Sequence, residues 1–237
     1  MSLRSVLTVA GVAAVCVVAA LLLRPRPSSG AAAPASPATS ERDDVASATS
    51  SAQPRRRAIC AGGCFWCMEP PFEQVDGVFS VRSGYTAGRT ESPTYEQVSG
   101  GRTGHTEAVE IEYDPSRVTY EQLLDLFWHN VDPLTANAQF CDHGPQYRSG
   151  IYPRTAEERV AAERSRDAVA RTLGREVVTE IVDATTFHAA EEYHQDYYKK
   201  NPVRYKFYRG SCGRDARLRE LWGKAAGVGT LGLISDK

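Results

Sequence analysis

The stretch Ile-Cys-Ala-Gly-Gly-Cys-Phe-Trp-Cys-Met-Glu at residues 59–69 is the most informative part of the chain. Its apolar start predicts a strand over residues 58–61, and the two glycines that follow permit a tight turn. Cys64 then lies at a helix N-terminus, where free backbone N–H groups favour the thiolate, so we expect its pKa to be lowered. Cys67 follows one helical turn later on the same face and could form a disulfide with Cys64.

A Cys-x-x-Cys pair has several known uses. A structural zinc site usually needs a second such pair or a Cys/His pair, and the sequence has no second Cys-x-x-Cys pair or closely spaced His pair. A thioredoxin-like redox pair is the serious alternative. Phe65 and Trp66, however, form a bulky insert that suits an apolar wall for a small group such as a methyl, although they could equally be core. Pro70-Pro71 predicts that the helix breaks or restarts there.

Charge and length narrow the possibilities. The 237 residues suit one domain of ordinary size or two small ones. With 28 basic and 29 acidic residues, the chain lacks the basic footprint that nucleic-acid binding needs. The near-neutral total is the sum of two regions of opposite charge: residues 1–57 carry a net charge of +4 and residues 58–237 carry -5.

The N-terminal part of the chain predicts export. Residues 5–23 carry no charge, and these 19 residues are long enough to cross a bilayer as an apolar helix. They are interpreted as a membrane anchor or a cleaved secretory signal, either of which places the domain outside the cytoplasm. Twenty of the 34 residues at 24–57 are Ala, Ser or Pro, which predicts a disordered tether. The folded domain is expected at residues 58–237.

Helix and strand signals interleave irregularly within this domain. Thr119 with Gln122, and Thr155 with Glu158, are capping-box signals that begin helices. The predicted helices span residues 120–131, 155–173 and 187–199, the last ending before Asn201-Pro202. The predicted strands span residues 58–61, 78–83, 107–113 and 176–183. This order predicts an α+β fold, a two-layer sandwich of a mixed sheet with helices packed on it.

Seven motifs follow one another in a family-specific order. They are GCFWCME at 63–69, SGYT at 83–86, PTY at 93–95, GHTEAV at 104–109, YDP at 113–115, DHGPQYRS at 142–149 and AEEYHQDY at 190–197. Through them the chain resembles the peptide methionine sulfoxide reductase A family over about residues 58–223. The resemblance implies an enzyme that reduces peptidyl or free methionine S-sulfoxide to methionine and so repairs oxidised proteins.

The implied reaction sets the requirements for the site. A thiolate attacks the sulfoxide sulfur, the oxygen takes up protons to leave, and the attacking cysteine becomes a sulfenic acid. A second thiol condenses with it to a disulfide, which an external thiol reductant of the thioredoxin type reopens. The resemblance implies no bound cofactor and no metal, and the expected partners are oxidised methionine in proteins or peptides and this reductant.

The resemblance assigns four residues to the reacting centre. Cys64 is the implied nucleophile, in agreement with its place at a helix start. Phe65 and Trp66 resemble the family's methyl-binding wall. Glu107 matches an acid held protonated near the oxygen, which requires a pKa raised by burial or by the neighbouring thiolate.

Further residues have supporting roles by the same resemblance. Tyr95 and Tyr147 match tyrosines that hydrogen-bond the oxygen, and Asp142 matches a carboxylate that shapes the substrate site. Cys67 is the first choice as resolving thiol. Cys212 is expected in a mobile segment and is either a relay thiol or the resolver itself.

Two cysteines of the domain have no predicted catalytic role. Cys60 is expected to be inert core, and Cys141 has no assigned role. His188 with Glu192, on the predicted third helix, is interpreted as structural rather than metal-binding. The competing functions are a thiol–disulfide oxidoreductase using the Cys-x-x-Cys pair and a tethered module that binds oxidised methionine without turnover. We expect a monomer, held to the membrane through residues 5–23 where these are retained.

Overall fold

The computed structural model describes residues 54–231. The predicted anchor or signal at residues 5–23 and nearly all of the predicted tether at 24–57 lie outside the described residues. The described residues belong to one of the two units into which the chain divides, residues 50–237. Between residues 54 and 231, no helix is both long and apolar enough to cross a bilayer.

Eight strands and seven α-helices make up the described region. The strands are β1 (Arg56–Gly62), β2 (Val78–Thr86), β3 (Thr106–Tyr113), β4 (Ala138–Gln139), β5 (Asp142–His143), β6 (Ser149–Ile151), β7 (Glu180–Ile181) and β8 (His188–Ala189). The helices are α1 (Phe65–Glu73), α2 (Tyr95–Ser99), α3 (Tyr120–Trp128), α4 (Ala156–Leu173), α5 (Tyr197–Lys200), α6 (Pro202–Ser211) and α7 (Arg214–Trp222). Two 3-10 turns span Pro145–Tyr147 and Gly223–Ala225.

The main sheet has six strands in the order β7-β6-β1-β3-β2-β8. Its pairs are antiparallel except that of β6 with β7, which is parallel, so the sheet is mixed. Strand β3 lies near the centre and is almost wholly buried, as a strand covered on both faces should be. The predicted α+β fold with helices packed on a mixed sheet is confirmed.

The main core forms between the sheet and the helices α1, α3 and α4. Alternation along β3 sends Val109 and Ile111 into this core, while Ala108 faces a smaller apolar cluster on the other side of the sheet. On α3, Leu123, Leu124 and Phe127 form the apolar stripe that the sequence predicts, and all are buried in the main core.

The predicted helix starts at α3 and α4 are confirmed in detail. Thr119 and Gln122 form a reciprocal capping box before α3. The Thr155 side chain accepts a hydrogen bond from the Glu158 backbone N–H before α4. Gly174 ends α4 in the left-handed conformation that glycine adopts without strain.

The C-terminal third of the domain differs from the prediction. Residues 187–199 do not form one helix: they contain β8, a series of turns and the first residues of the short helix α5. Pro202 begins helix α6 instead of ending a helix, because proline at the first helical position loses no hydrogen bond. The strand predicted at 176–183 reduces to the two residues of β7.

Helix α1 also departs from expectation. It continues from Phe65 to Glu73 with Pro70 and Pro71 inside it, so the predicted break does not occur. Both prolines pack with buried or half-buried side chains, and Phe72 beyond them is fully buried in the core. Burial of this helix against the sheet therefore outweighs the loss of two backbone donors.

Candidate active site

Cys64 lies where strand β1 passes into helix α1. Gly63 has a positive φ of 78°, and a side chain there would collide with the Gln139 side chain. Cys64 itself occupies the N-cap position of α1, and its carbonyl accepts a hydrogen bond from the Cys67 N–H at 3.0 Å. The strand, the glycine turn and the helix start together fix the position of the Cys64 sulfur.

Cys64 and Cys67 carry free thiols that interact with each other and share one hydrogen bond. Burial raises the pKa of Cys64 well above its ordinary value, and the interaction with Cys67 and the charge of Glu107 add to this effect. The hydrogen bond from Cys64 instead lowers the pKa of Cys67, and the positive charges of Arg214 and Arg209 act in the same direction. The surroundings of this pair therefore favour ionisation of Cys67 over that of Cys64.

The predicted lowering of the Cys64 pKa by the helix N-terminus is therefore wrong for this resting site. The helix-terminal N–H of Phe65 donates to Glu107 Oε2 at 3.1 Å, so a carboxyl group uses that donor. The sulfur is also almost fully buried, and burial penalises its charged form more than the helix end favours it. The sequence predicted the position of the thiol correctly and the direction of its pKa shift incorrectly.

Arg214 places a cation beside this pair. Its side chain is almost fully buried, with Nη2 donating to the Gly62 carbonyl at 2.9 Å and Nη1 to the Asn130 carbonyl at 3.0 Å. Its guanidinium lies 4.2 Å from the centre of the Phe140 ring. Because these partners are uncharged, the positive charge of Arg214 remains to act on Cys67.

Glu107 projects from strand β3 towards the start of α1. Burial raises its pKa to about 8, and the charges of Asp142 and Cys67 add to the rise, against the hydrogen bond from the Phe65 N–H. The carboxyl group therefore keeps its proton at neutral pH, which confirms the predicted direction. It can donate a proton to an atom bound in front of Cys64.

Phe65 and Trp66 form an aromatic wall beside the thiol. Trp66 stacks on Tyr197 with ring centres 3.7 Å apart, and its indole N–H donates to His194 Nδ1 at 3.0 Å. His194 also packs against Phe65, with ring centres 5.0 Å apart. The turns that replace the predicted helix thus hold both rings of the wall in place.

Tyr95 and Tyr147 reach the same space from two separate segments. Tyr95 is the first residue of α2, and its N–H donates to Glu191 Oε1 at 2.8 Å. Burial raises the pKa of Tyr95 to about 12 and raises that of Tyr147 further. Both phenols therefore stay neutral at physiological pH and can donate hydrogen bonds.

Tyr208 is the site residue that sequence reasoning missed. It lies on α6, and its hydroxyl donates to Asp142 Oδ2 at 2.5 Å. Its ring meets Trp66 edge-on, with centres 5.9 Å apart. Pro202 is the signal that could have found it, because proline at a first helical position predicts helix α6, and this helix carries Tyr208.

These side chains surround one cavity of about 80 Å³. Its lining consists of seven residues that the sequence analysis selected, together with Tyr208: Cys64, Phe65, Trp66, Tyr95, Glu107, Asp142, Tyr147 and Tyr208. A larger groove of about 760 Å³ is lined mainly by Arg, Glu, Tyr and Thr and contains no thiol. Because the smaller cavity contains the Cys64 thiol and the Glu107 carboxyl group, we identify it as the candidate active site. The roles of its individual residues stay predictions.

Cys212 lies outside the lining of this cavity. It forms a disulfide with Cys141, and the two Cα atoms are 4.9 Å apart. Cys141 is exposed and Cys212 half-buried, whereas Cys60 is buried in the core and burial raises its pKa. In the residues described, one group of three metal-ligating side chains occurs, Cys141 with Asp142 and Cys212, and the disulfide already joins its two sulfurs.

Comparison with known proteins agrees with the resemblance that the sequence motifs show. The family model described as peptide methionine sulfoxide reductase matches residues 56–226. The peptide methionine sulfoxide reductase MsrA of Halalkalibacterium halodurans is 49% identical over 170 residues, which cover 71% of this chain and 97% of that protein.

Two solved structures are also similar. Mxr1 from Saccharomyces cerevisiae in its reduced form gives a TM-score of 0.60 at 32% identity, covering 62% of this chain and 86% of the yeast chain. Methionine sulfoxide reductase A of Corynebacterium diphtheriae gives 0.58 at 33% identity, covering 63% and 76% respectively.

Proposed function

The chain belongs to the peptide methionine sulfoxide reductase family, a family of enzymes, and from this premise we propose how its residues reduce methionine sulfoxide. The supporting observation is the cavity in front of Cys64. It combines a thiol, a carboxyl group that is protonated at neutral pH, neutral phenols and an aromatic wall. A thiol–disulfide oxidoreductase needs only the thiols, whereas a sulfoxide reductase needs each of the other groups.

The first step transfers oxygen from the substrate to Cys64. The Cys64 thiolate attacks the sulfoxide sulfur while Glu107 and the hydroxyls of Tyr95 and Tyr147 hydrogen-bond the oxygen. Glu107 supplies the proton that the oxygen needs to leave the substrate sulfur. Two electrons pass from Cys64 to the substrate, which yields methionine and a Cys64 sulfenic acid.

The second step closes a disulfide. The pKa of Cys67 is lowered and its thiol interacts directly with Cys64, so Cys67 is placed to attack the sulfenic sulfur. The sulfenic hydroxyl leaves as water after it takes up a proton. Cys212 is committed to Cys141 in this structure, so we propose Cys67 as the first resolving thiol.

Substrate size follows from the cavity. A space of about 80 Å³ holds the sulfoxide oxygen and the S-methyl group, and the rest of the substrate must stay at its mouth. This geometry is compatible with both free and peptide-bound methionine sulfoxide. We propose the S epimer as the substrate form, by family resemblance.

Recycling and location complete the proposal. The disulfide between Cys64 and Cys67 needs an external dithiol, and we propose a protein of the thioredoxin type. We also propose that the domain functions outside the cytoplasm, because residues 5–23 are apolar and because an exposed disulfide persists in oxidising compartments. Cell fractionation with N-terminal sequencing of the mature protein tests the location and any cleavage. Recovery of uncleaved protein from the cytoplasm would refute it.

The decisive assay supplies the full chain with the S or the R epimer of methionine sulfoxide and with dithiothreitol, and measures methionine. We expect product from the S epimer. Cys64→Ser should give none, even in a single turnover without reductant. Cys60→Ala is the matched control, since it removes a buried thiol on strand β1, which leads to Cys64, and Cys60 does not line the cavity. A folded wild-type protein that yields no methionine would refute the proposed function.

A further inference from the structure

His194 does not line the cavity, but it contacts three residues that do. It is only 1% exposed, and its Nδ1 accepts the indole N–H of Trp66 at 3.0 Å. Its ring centre lies 5.0 Å from that of Phe65 and 4.4 Å from that of Tyr95. One imidazole ring therefore joins the aromatic wall to a tyrosine on another side of the cavity.

The hydrogen bond from Trp66 defines the state of this imidazole. Because Nδ1 accepts a hydrogen bond, the ring is neutral and its hydrogen is on Nε2. Burial lowers the pKa of His194, which favours the same neutral form. Among the described residues Nε2 has no hydrogen-bond partner, so the polar contact of this buried ring is directed at Trp66.

This hydrogen bond restrains Trp66 in a way that stacking does not. Tyr197 stacks on the indole with ring centres 3.7 Å apart and ring planes 6° apart, a contact that resists tilting but allows the ring to slide. A hydrogen bond is directional, so the acceptor at the indole edge removes that freedom. His194 thus fixes the indole edge, and its contact with Tyr95 fixes that edge relative to the tyrosine.

The relative position of the wall and the tyrosine bears on the choice between epimers. A sulfoxide sulfur carries an oxygen, a methyl group and a side-chain methylene, and the two epimers differ in how these are arranged. With the oxygen hydrogen-bonded and the sulfur facing Cys64, the other epimer presents the methylene chain where the methyl group would lie. A cavity of about 80 Å³ excludes that longer chain only while its wall stays in place.

We propose that His194 is a positioning residue that determines selectivity for the S epimer, because it holds Trp66 in a fixed position relative to Tyr95. This proposal rests on the proposed function and on its preference for the S epimer. His194 acts through the residues that it contacts, since it does not itself line the cavity. It transfers neither protons nor electrons.

The test measures selectivity as well as rate. Full-length protein is supplied separately with the S and the R epimer of methionine sulfoxide and with dithiothreitol, and kcat/KM is measured for each. His194→Phe keeps an aromatic ring and removes the acceptor, so the Trp66 N–H loses its partner. We expect kcat/KM for the S epimer to fall by roughly tenfold or more while that for the R epimer does not fall, so the S-to-R ratio falls by at least the same factor.

His194→Asn is the conservative variant. Its side-chain oxygen can lie near the position of Nδ1 and accept the indole N–H, so most of the S-to-R ratio should be retained. The indole N–H signal of Trp66 in NMR spectra of isotopically labelled protein reports the hydrogen bond directly, and Trp66→Phe assigns it. The signal should shift and exchange faster with solvent in His194→Phe and be largely preserved in His194→Asn. The indole signals of Trp128 and Trp222, which donate to other groups, show whether each variant is folded.

His129→Phe is the matched control. His129 is also a buried histidine that packs against a tryptophan, Trp222, with ring centres 4.7 Å apart, but neither residue lines the cavity. This variant should keep the wild-type S-to-R ratio. A folded His194→Phe protein with the wild-type ratio would overturn the proposal, and so would a full loss of selectivity in His194→Asn with the Trp66 signal preserved. Wild-type protein that reduces both epimers equally well would also overturn it, whereas wild-type protein that makes no methionine would refute the proposed function itself.

Discussion

The two cysteine pairs of this domain behave in opposite ways. Cys64 and Cys67 are three residues apart, buried and free, whereas Cys141 and Cys212 are 71 residues apart, more exposed and bonded. The buried pair lies beside cations and a protonated carboxyl group that control its charge. The more exposed pair joins a loop to the end of a helix. The comparison teaches that surroundings, not spacing along the chain, separate a reactive thiol pair from a structural crosslink.

Among the changes around the buried pair, removal of the Glu107 carboxyl group should lower catalytic activity most. Glu107→Gln takes away the proton donor, and we expect activity to fall by roughly 10²- to 10⁴-fold. Because the pKa of Glu107 is about 8, wild-type activity should decline as pH rises through that value and the carboxyl group loses its proton. The variant should lack this alkaline decline, as measured by initial rates across the pH range.

Glu110→Gln is the control for this prediction. Glu110 lies on the same strand and is also buried, but it pairs with Arg82 and does not line the cavity. It should retain both the rate and the alkaline decline. If the decline persists in Glu107→Gln, another group controls it.

Loss of the resolving thiol should separate the two halves of the reaction. Cys67→Ser should still form one methionine per enzyme, because Cys64 remains, and then stop with a sulfenic acid on Cys64. Recycling by thioredoxin should fall by at least about a hundredfold, since an adjacent thiol has a far higher effective concentration than an external one. Mass spectrometry of the dimedone adduct and multiple-turnover rates measure the two effects. Full recycling in Cys67→Ser would move the resolving role to Cys212.

Local signals in the sequence identified the position of Cys64 and the starts of helices. The glycine turn before Cys64 and the capping box at Thr119 depend on neighbouring residues, so a short stretch contains the information. The family resemblance then selected Glu107, which the residues by themselves would class as an ordinary strand acid. Its surroundings in the structure give it the raised pKa that the assignment requires.

The features that the sequence did not reveal depend on distant contacts. The hydrogen bond from Tyr208 to Asp142 joins residues 66 positions apart, and the partner of Cys212 could not be chosen from spacing. The pKa of Cys64 was predicted in the wrong direction because a helix end is visible in sequence and the depth of burial is not. Helix α6 was missed because Asn201-Pro202 can end one helix or begin another.

The smallest effect on catalysis should come from removal of the structural crosslink. The double variant Cys141→Ser with Cys212→Ser should lose about 2–4 kcal/mol of unfolding free energy, because a long loop is no longer constrained in the unfolded chain. Its activity should fall only severalfold, since Cys64 and Cys67 remain and only the alignment of Tyr208 with Asp142 is loosened. Urea unfolding with and without dithiothreitol measures the stability: reductant should lower the wild-type value towards that of the variant and leave the variant unchanged. A double variant that keeps full stability but cannot be recycled would show that the more exposed pair carries electrons, and the distinction between a reactive pair and a structural one would then be wrong.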